Sequence, residues 1–281
     1  MAASRNSLSL SLLKRVGDFL AHHVDPDERL CVGLSGGCDS VVLLHVLTAL
    51  GLGNRLHAVH VHHGLSPNAD AWANFCLAYC DTLGIPLALH HVNVDASDGQ
   101  GLEAAARKAR YAAFAECTGE CILLAQHRGD QAETLLFNLL RGAGVTGAAA
   151  MPSVRRLGRL RLMRPMLDVS RREIESYATE RGLAWVDDES NLDRSLTRNF
   201  LRHEVLPAIN GRFPAAEIAL AQAANNFSEA SGLLDELAAI DWCRVGEGDA
   251  ARLVELRALS LPRIKNLLRY RLRLLSWQVP V

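Results

Sequence analysis

The first half of the chain alternates between two hydrophobic patterns. Short apolar runs, typical of buried strands, occupy residues 30–34, 56–61, 86–94 and 121–126. Apolar residues at helical spacing occupy the segments at 7–24, 41–50, 67–84, 101–117 and 131–140. Ser66 is the predicted N-cap of the third of these helices, with Pro67 as its first residue. This order predicts an α/β fold with a doubly wound, mostly parallel sheet that helices cover on both faces.

The pattern changes in the second half of the chain. Ser170 and Glu173 form a predicted capping box, which starts a helix that ends near Gly182. Alanine- and leucine-rich segments then predict one long helix over 215–240 and two shorter ones that end near Leu274. We therefore predict a core over 1–148, an arginine-rich continuation of that domain over 149–210, and a smaller, mainly helical C-terminal region over 211–281.

Charge is unevenly distributed along a nearly neutral chain. A formal net charge of −1 argues against a uniformly basic nucleic-acid-binding protein. Asp168 is nevertheless the only carboxylate between positions 153 and 172, whereas seven arginines crowd this region: Arg155, Arg156, Arg159, Arg161, Arg164, Arg171 and Arg172. The stretch from Arg257 to Arg273 is basic again. Such local patches suit a polyanion that is bound at selected places.

Two further features of the sequence indicate the cellular compartment. No run of about 18 uncharged apolar residues occurs, and the N-terminus lacks the basic-then-apolar pattern of a signal peptide. The seven cysteines include no Cys-x-x-Cys pair, which argues against a zinc ribbon or a redox dithiol. We expect a cytoplasmic protein without a membrane partner, whose cysteines are ordinary buried thiols.

A glycine turn joins the first predicted strand to the helix after it. The turn consists of Ser35, Gly36, Gly37, Cys38, Asp39 and Ser40. Its glycines permit a tight turn and close approach of a ligand to the backbone, and a helix N-terminus attracts anions. It lacks the lysine and the spacing of a Walker loop, so it suits pyrophosphate better than transfer of a terminal phosphate. The alternative is a Gly-Gly pair that only allows the chain to turn between the strand and the helix, without binding a ligand.

This turn resembles the pyrophosphate loop of the N-type ATP pyrophosphatases, which implies ATP as the cofactor. Histidines follow the second strand, and we assign His60 and His62 to the nucleotide pocket at the carboxyl edge of the sheet. A dedicated zinc site is disfavoured because no acidic or thiol ligand has companion spacing.

Two further groups of side chains carry candidate chemistry. Arg107 and Arg110 share a face of the helix predicted over 101–117, where they would neutralise a leaving pyrophosphate; the alternative is a solvated face with a Glu103–Arg107 pair. Asp130 and Glu133 share a face of the next helix. They would hold magnesium or the ammonium group of an amine substrate, unless they only cap the helix.

Arginines in the second half of the chain are the candidate contacts to a nucleic acid. Phosphate-backbone contact is favoured over a solvated face because guanidinium groups match phosphate geometry. The assigned residues are Arg155, Arg156, Arg194, Arg198 and Arg202.

Longer motifs narrow the resemblance. They are residues 60–72, 103–111, 130–134, 139–144, 164–167 and 185–202. In order and spacing these segments resemble the bacterial tRNA(Ile)-lysidine synthetases over most of residues 30–207. One departure is Gly129, because relatives commonly have two aspartates before the glutamine. Longer members of that family continue into a further C-terminal domain, so we expect this chain to be a short or truncated form.

The resemblance implies an adenine nucleotide alpha hydrolase-like fold and an ATP-dependent ligase. Such an enzyme joins lysine to the wobble cytidine of tRNA(Ile) with anticodon CAU, through an adenylated tRNA, releasing AMP and pyrophosphate. Ser35–Ser40 would bind ATP and Asp39 would place Mg²⁺. Arg107 and Arg110 would steady the phosphates or the adenylate, and Asp130 and Glu133 would receive the amine of L-lysine. These five acidic and basic side chains are the predicted catalytic residues.

Two alternatives and the oligomeric state stay open. A tRNA-thiolating enzyme with the same loop is disfavoured because the chain has no Cys-x-x-Cys pair. A non-catalytic RNA-binding module is disfavoured because the loop and both carboxylates are intact. A homodimer is neither required nor excluded by the sequence.

Overall fold

The computed structural model describes residues 2–95, 101–248, 250–275 and 277, with side chains from Ser9 onward. The chain folds as two compact units, of which the first comprises 1–130 and 152–199, and the second comprises 131–151 and 200–281. This division does not coincide with the predicted boundaries at 148 and 210. Most of the chain end discussed above, residues 276–281, lies outside the described residues.

A six-stranded sheet forms the centre of the first unit. Its strands are β1 (Leu30–Gly33), β2 (Leu56–His62), β3 (Leu87–His91), β4 (Cys121–Leu123), β5 (Val154–Leu157) and β6 (Leu160–Met163). Their order is β3-β2-β1-β4-β6-β5, and every neighbouring pair is parallel except β5 and β6. The predicted mostly parallel sheet is thereby confirmed. The β5–β6 hairpin was not predicted, because arginines interrupt its short apolar runs.

Helices cover both faces of this sheet. The α-helices of both units, in chain order, are α1 (Ala2–His23), α2 (Cys38–Ala49), α3 (Ala69–Leu83), α4 (Leu102–Ala115), α5 (Arg128–Leu140), α6 (Val145–Ala148), α7 (Arg171–Glu180), α8 (Thr197–Phe200), α9 (Leu206–Arg212), α10 (Ala216–Val245), α11 (Leu253–Arg257) and α12 (Leu261–Leu274). Side chains of α1, α2, α3 and α7 form one apolar core, with Leu43 and Tyr177 fully buried. Phe114 of α4 belongs to a second core. The doubly wound arrangement is therefore confirmed.

Three predicted helix starts are wrong. Helix α2 begins at Cys38 rather than at residue 41, so Asp39 lies in its first turn. Helix α3 has Asn68 as its N-cap, because the Ser66 hydroxyl accepts a hydrogen bond from the Asn68 N–H at 3.0 Å and forms a turn before the helix. Helix α5 begins at Arg128 rather than at residue 131.

The second unit is built around the 30-residue helix α10. Leu135 of α5 and Ala148 of α6 pack against Ala224 of α10, which explains why residues 131–151 group with the C-terminal helices. Further along α10, the buried Asp241 forms an ion pair with Arg263 of α12. A two-stranded ribbon, β7 (Gly246–Glu247) with β8 (Ala250–Ala251), follows α10. None of the helices within the described ranges is long and apolar enough to cross a membrane.

Candidate functional site

The glycine turn predicted from the sequence leaves the carboxyl end of β1, between β2 and β4. Its two serines stabilise the turn through hydrogen bonds within it. The Ser40 hydroxyl donates to the Gly37 carbonyl at 2.9 Å and accepts from the Ser35 N–H at 3.1 Å. The Ser35 and Ser40 hydroxyls lie 3.1 Å apart. The turn is therefore held in shape by its own side chains before any ligand arrives.

The two glycines of the turn have different roles. Gly36 has φ +88°, and a Cβ there would lie 2.9 Å from Cγ2 of Val186, so both the backbone conformation and the space require glycine. Gly37 has an extended φ of −70° and is the N-cap of α2. A Cβ at Gly37 would make only ordinary contacts with protein atoms. Contacts with the rest of the protein therefore do not by themselves require glycine at position 37.

Asp39 points from the first turn of α2 towards a guanidinium group. Nη1 of Arg171 lies 2.7 and 2.6 Å from the two carboxylate oxygens of Asp39. Arg171 is the first residue of α7, which the predicted capping box of Ser170 and Glu173 starts. No pattern in the sequence predicts this contact, because the two residues are 132 positions apart.

His127 links Asp39 to Asp130. Its Nε2 lies 3.9 Å from Oδ2 of Asp39 and 3.7 Å from Oδ2 of Asp130, and its Nδ1 accepts the Gly129 N–H at 3.0 Å. Asp130 also accepts the His127 N–H at 3.0 Å. A Cβ at Gly129 would lie 2.8 Å from Cε1 of His127. A residue larger than glycine at this position would therefore require the ring of His127 to shift.

The histidines at the end of β2 lie beside the turn. His60 is buried, and its Nδ1 lies 2.8 Å from the Leu34 carbonyl and 3.4 Å from Sγ of Cys76. Burial lowers the pKa of His60, so its ring is neutral near pH 7. His62 contacts Asp70 at 2.9 Å and packs on the ring of His91 at 4.6 Å. His60 thus supports the turn, whereas His62 faces α3.

An arginine cluster surrounds Tyr111 on α4, and we call it the Tyr111 cluster. Arg107 donates to the Tyr111 hydroxyl at 3.1 Å, and its guanidinium lies 4.8 Å from the ring centroid. The guanidinium of Arg155, from β5, lies 4.9 Å from the same ring. Arg164 is almost fully buried after β6 and donates to the Pro152 carbonyl at 2.6 Å and to Gln126 at 3.1 Å. Arg110 and Arg198 complete the cluster.

Two pKa values report the positive potential of this cluster. Burial lowers the pKa of Arg110, and the charges of Arg107 and Arg198 lower it further. Burial by itself raises the pKa of Tyr111, but the guanidinium groups of Arg107, Arg164 and Arg155 outweigh it, so the net shift is downward. Glu103 pairs with Arg198 at 3.4 Å rather than with Arg107. The cluster is therefore suited to an anion with several oxygens.

The lowered pKa of Tyr111 is directly measurable. Tyr111 is expected to ionise at a lower pH than Tyr79, whose pKa burial raises to about 12, and Tyr177, whose pKa is also raised. Added pyrophosphate is expected to move this ionisation to higher pH, because a bound anion neutralises the guanidinium groups. Tyrosinate absorbance against pH, with Tyr111→Phe to assign the phase, tests both points. An ionisation that pyrophosphate leaves unmoved would contradict anion binding here.

Glu133 belongs to the second unit and forms a fork-to-fork pair there. Its two oxygens accept from Nε of Arg202 at 2.6 Å and from Nη2 at 2.9 Å. The Glu133 side chain is 7% exposed and that of Arg202 is 37% exposed. A carboxylate has about four lone-pair sites, so this pairing leaves acceptor capacity for an amine. Lysine binding by Asp130 and Glu133 stays a prediction.

Arg194, Arg198 and Arg202 are spaced four residues apart in the sequence, but they do not all lie in one regular helix. Arg194 lies exposed in a turn, Arg198 lies in α8, and Arg202 lies in a π-helical turn over Leu201–Val205. Contact of these residues with RNA stays a prediction.

Arg156 lies far from the turn described above. With Arg159 and Arg161 it lines a cavity of about 500 Å³, together with residues 118–120. Residues 118–120 precede β4 and Arg159 precedes β6, so this cavity is at the amino edge of the parallel strands. Arg155 and Arg156, although adjacent in sequence, consequently serve two different surfaces. Contact of either residue with RNA stays a prediction.

Curated proteins include close relatives of this chain. The tRNA(Ile)-lysidine synthase of Nitrosomonas europaea is 48% identical over 256 residues, which cover 89% of this chain and 56% of that protein. The tRNA(Ile)-lysidine synthase of Pseudomonas syringae pv. tomato is 55% identical over 215 residues, which cover 75% of this chain and 48% of that protein. The chain thus spans about half the length of the curated relatives it matches.

A solved structure and a family model define the fold and the family. The U34-tRNA thiolase NcsA from Methanococcus maripaludis, solved with its 4Fe-4S cluster, is similar with a TM-score of 0.68 and 14% identity over 80% of each chain. At that identity the likeness concerns the fold alone. A model described as a PP-loop domain matches residues 8–209, well over half of the chain. This chain therefore belongs to the PP-loop family of ATP-binding domains.

Proposed function

We propose that this chain carries out the ATP-dependent ligation of L-lysine to the wobble cytidine of tRNA(Ile), the activity named in its curated relatives. The observation that carries the proposal is the preformed turn of Ser35–Ser40, with Asp39, His127 and Asp130 grouped beside it. A cytoplasmic location follows from tRNA as the substrate.

In the first step, the carbonyl oxygen on carbon 2 of cytidine attacks the α-phosphate of ATP. The bond between the α-phosphorus and the bridging oxygen breaks, and pyrophosphate leaves with the bond electrons. The N–H groups at the start of α2 receive pyrophosphate oxygens, and Gly37 leaves room for that approach. Arg107 and Arg110 of the Tyr111 cluster balance the negative charge of the phosphates or of the adenylate.

Mg²⁺ fits this turn through Asp39. Magnesium in nucleotide sites is commonly held by one or two carboxylates together with substrate phosphates, and Asp39 supplies one carboxylate beside the phosphate-binding N–H groups. A bound magnesium ion would polarise the phosphate oxygens. In the structure, Arg171 and His127 flank the carboxylate of Asp39.

In the second step, the lysine amine attacks carbon 2 of the adenylated cytidine. A carbon–nitrogen bond forms, the carbon–oxygen bond to AMP breaks, and the amine loses a proton. Asp130 and Glu133, three residues apart on α5, are proposed to hold the charged lysine. Contacts with the tRNA are proposed for Arg155, Arg156, Arg194, Arg198 and Arg202.

The proposal is tested by incubating the chain with ATP, tRNA(Ile) and radiolabelled lysine. We expect label in the tRNA, with one pyrophosphate released per lysine joined, and no label when ATP is omitted. A tRNA(Ile) transcript whose wobble cytidine is replaced by uridine is the matched control. Absence of label in the complete reaction, with folded protein and bound tRNA, would refute the proposal.

The same reaction distinguishes the alternatives. Sulfur incorporation would indicate a thiolating enzyme, and tRNA binding without ATP turnover would indicate a binding module. The cysteine of the turn is a poor candidate for sulfur chemistry, because burial raises the pKa of Cys38 to about 11 and so keeps its thiol protonated at neutral pH. Six of the seven cysteines are buried, and none forms a disulfide.

A further inference from the structure

Arg171 is the side chain that competes most directly with a metal ion for Asp39. Its Nη1 contacts both carboxylate oxygens, at 2.7 and 2.6 Å, and its Nε lies 2.8 Å from Glu175 one turn further along α7. Both Arg171 and Asp39 are partly exposed, at 43% and 27%. A ligand arriving from solvent therefore meets a carboxylate that a cation already occupies.

The position of Arg171 is fixed by several contacts around α7. The Ser170 and Glu173 capping box sets the start of the helix, and Glu173 also pairs with Arg15 on α1. Deeper in the helix, the Tyr177 hydroxyl lies 2.9 Å from Nδ1 of His45 on α2. These contacts attach α7 to the helix that carries Asp39. The ion pair is thus part of a packed interface rather than a chance meeting of two flexible side chains.

The segment after α7 supports the same turn from another side. The Val186 N–H donates to the Gly36 carbonyl at 3.0 Å, and the Val186 side chain occupies the space that a Cβ at Gly36 would need. Residues 171–186 consequently contact the turn at two places. The Arg171 side chain contacts Asp39, and the Val186 backbone contacts Gly36. This segment therefore helps to hold the turn in its observed shape.

We propose that Arg171 is a positioning residue that makes the turn selective for a metal–nucleotide complex over a free divalent cation. A free cation must break two hydrogen bonds to Asp39 and then remain beside a guanidinium charge, which is unfavourable. A metal that arrives with a triphosphate brings oxygens that accept the released N–H groups of Arg171. Glu175 retains Nε throughout, so Arg171 exchanges partners without leaving the turn.

The test is Mn²⁺ binding to the protein without nucleotide, measured from the electron paramagnetic resonance signal of free Mn²⁺. Arg171→Gln is expected to bind Mn²⁺ about tenfold more tightly than the unaltered chain, the size expected for removing one neighbouring charge from a partly exposed carboxylate. Arg171→Lys keeps the charge and is expected to stay within about threefold of the unaltered chain. With ATP present, the advantage of Arg171→Gln is expected to disappear.

The matched control is Arg172→Gln, which removes an exposed arginine from the adjacent position and is expected to change nothing. Adding Asp39→Asn to the Arg171→Gln variant is expected to abolish the gain in Mn²⁺ affinity. A merely structural Arg171 would give the opposite result, since a loosened turn binds Mn²⁺ more weakly. Mn²⁺ affinity that is unchanged or lowered in an Arg171→Gln protein with a native unfolding midpoint would overturn the proposal.

This inference rests on the proposed function only for the identity of the nucleotide. Mn²⁺ binding needs neither tRNA nor lysine, so the two proposals fail separately. A chain that never labels tRNA but shows tighter Mn²⁺ binding in Arg171→Gln would refute lysine ligation and retain the role of Arg171. A chain that labels tRNA but whose Arg171→Gln variant binds Mn²⁺ no more tightly would refute the role of Arg171 and retain lysine ligation.

Discussion

Asp130→Ala is expected to abolish transfer of lysine to tRNA(Ile), while the tRNA still binds and the adenylation step persists. The lysine-dependent rate should fall by roughly a hundredfold or more, the loss typical of truncating one member of a charged, hydrogen-bonded pair. The measurement is radiolabelled lysine in tRNA, with pyrophosphate release and tRNA affinity followed in parallel. The proposal assigns Asp130 to the amine and not to the nucleotide, so the two half-reactions should separate.

Asp130→Asn is the control that distinguishes charge from capping. Asp130 accepts the His127 N–H at 3.0 Å in the first turn of α5, and an asparagine oxygen accepts the same hydrogen bond. We expect Asp130→Asn to keep the unfolding midpoint of the unaltered chain and to lose lysine transfer. A purely structural Asp130 would give an active asparagine variant. Full activity of Asp130→Ala would remove Asp130 from the mechanism altogether.

The parts of the site that the sequence predicted well are local ones. Ser35–Ser40 form a turn because glycines, a preceding apolar run and a following helix lie within a dozen residues. The capping box of Ser170 and Glu173 is confirmed for the same reason, since it needs only three residues of spacing. The sheet was predicted because strand and helix periods alternate along the first half of the chain.

The parts that the sequence did not predict depend on contacts across long separations. Arg171 meets Asp39, and Arg198 meets Glu103, because the fold packs α7 beside α2 and places α8 near α4. Spacing along the chain suggested a Glu103–Arg107 pair instead. Arg155 and Arg156 were both assigned to tRNA contact as members of an arginine-rich segment, yet a strand directs neighbouring side chains to opposite faces. A run of arginines in the sequence therefore predicts that the region interacts with anionic groups. It does not predict which group each arginine contacts.

Arg202→Ala is expected to destabilise the protein more than Glu133→Ala. The Glu133 carboxylate is 7% exposed and depends on the Arg202 fork for two hydrogen bonds, whereas the Arg202 guanidinium is 37% exposed. Removing Arg202 takes two charge-assisted hydrogen bonds from a nearly buried carboxylate, which costs about 3 kcal/mol. Removing Glu133 lets a partly exposed guanidinium regain water, at a cost of about 1 kcal/mol. Urea unfolding followed by circular dichroism measures both.

The difference in stability between the Arg202→Ala and Glu133→Ala variants distinguishes an ion pair from a solvated arginine and from a contact that matters only for packing. If Arg202 were a solvated arginine, its removal would cost no more than that of the exposed Arg269 on α12, the matched control in the same unit. If the fork mattered only for packing, the two alanine variants would be equally destabilised. The double variant should be more stable than Arg202→Ala alone, because it no longer contains the buried charge.

Lysine transfer should nevertheless be lost in all three variants, since the proposal needs a charged Glu133 held in place by Arg202. An Arg202→Ala protein that is fully stable and transfers lysine at the normal rate would contradict both the pairing and its proposed use.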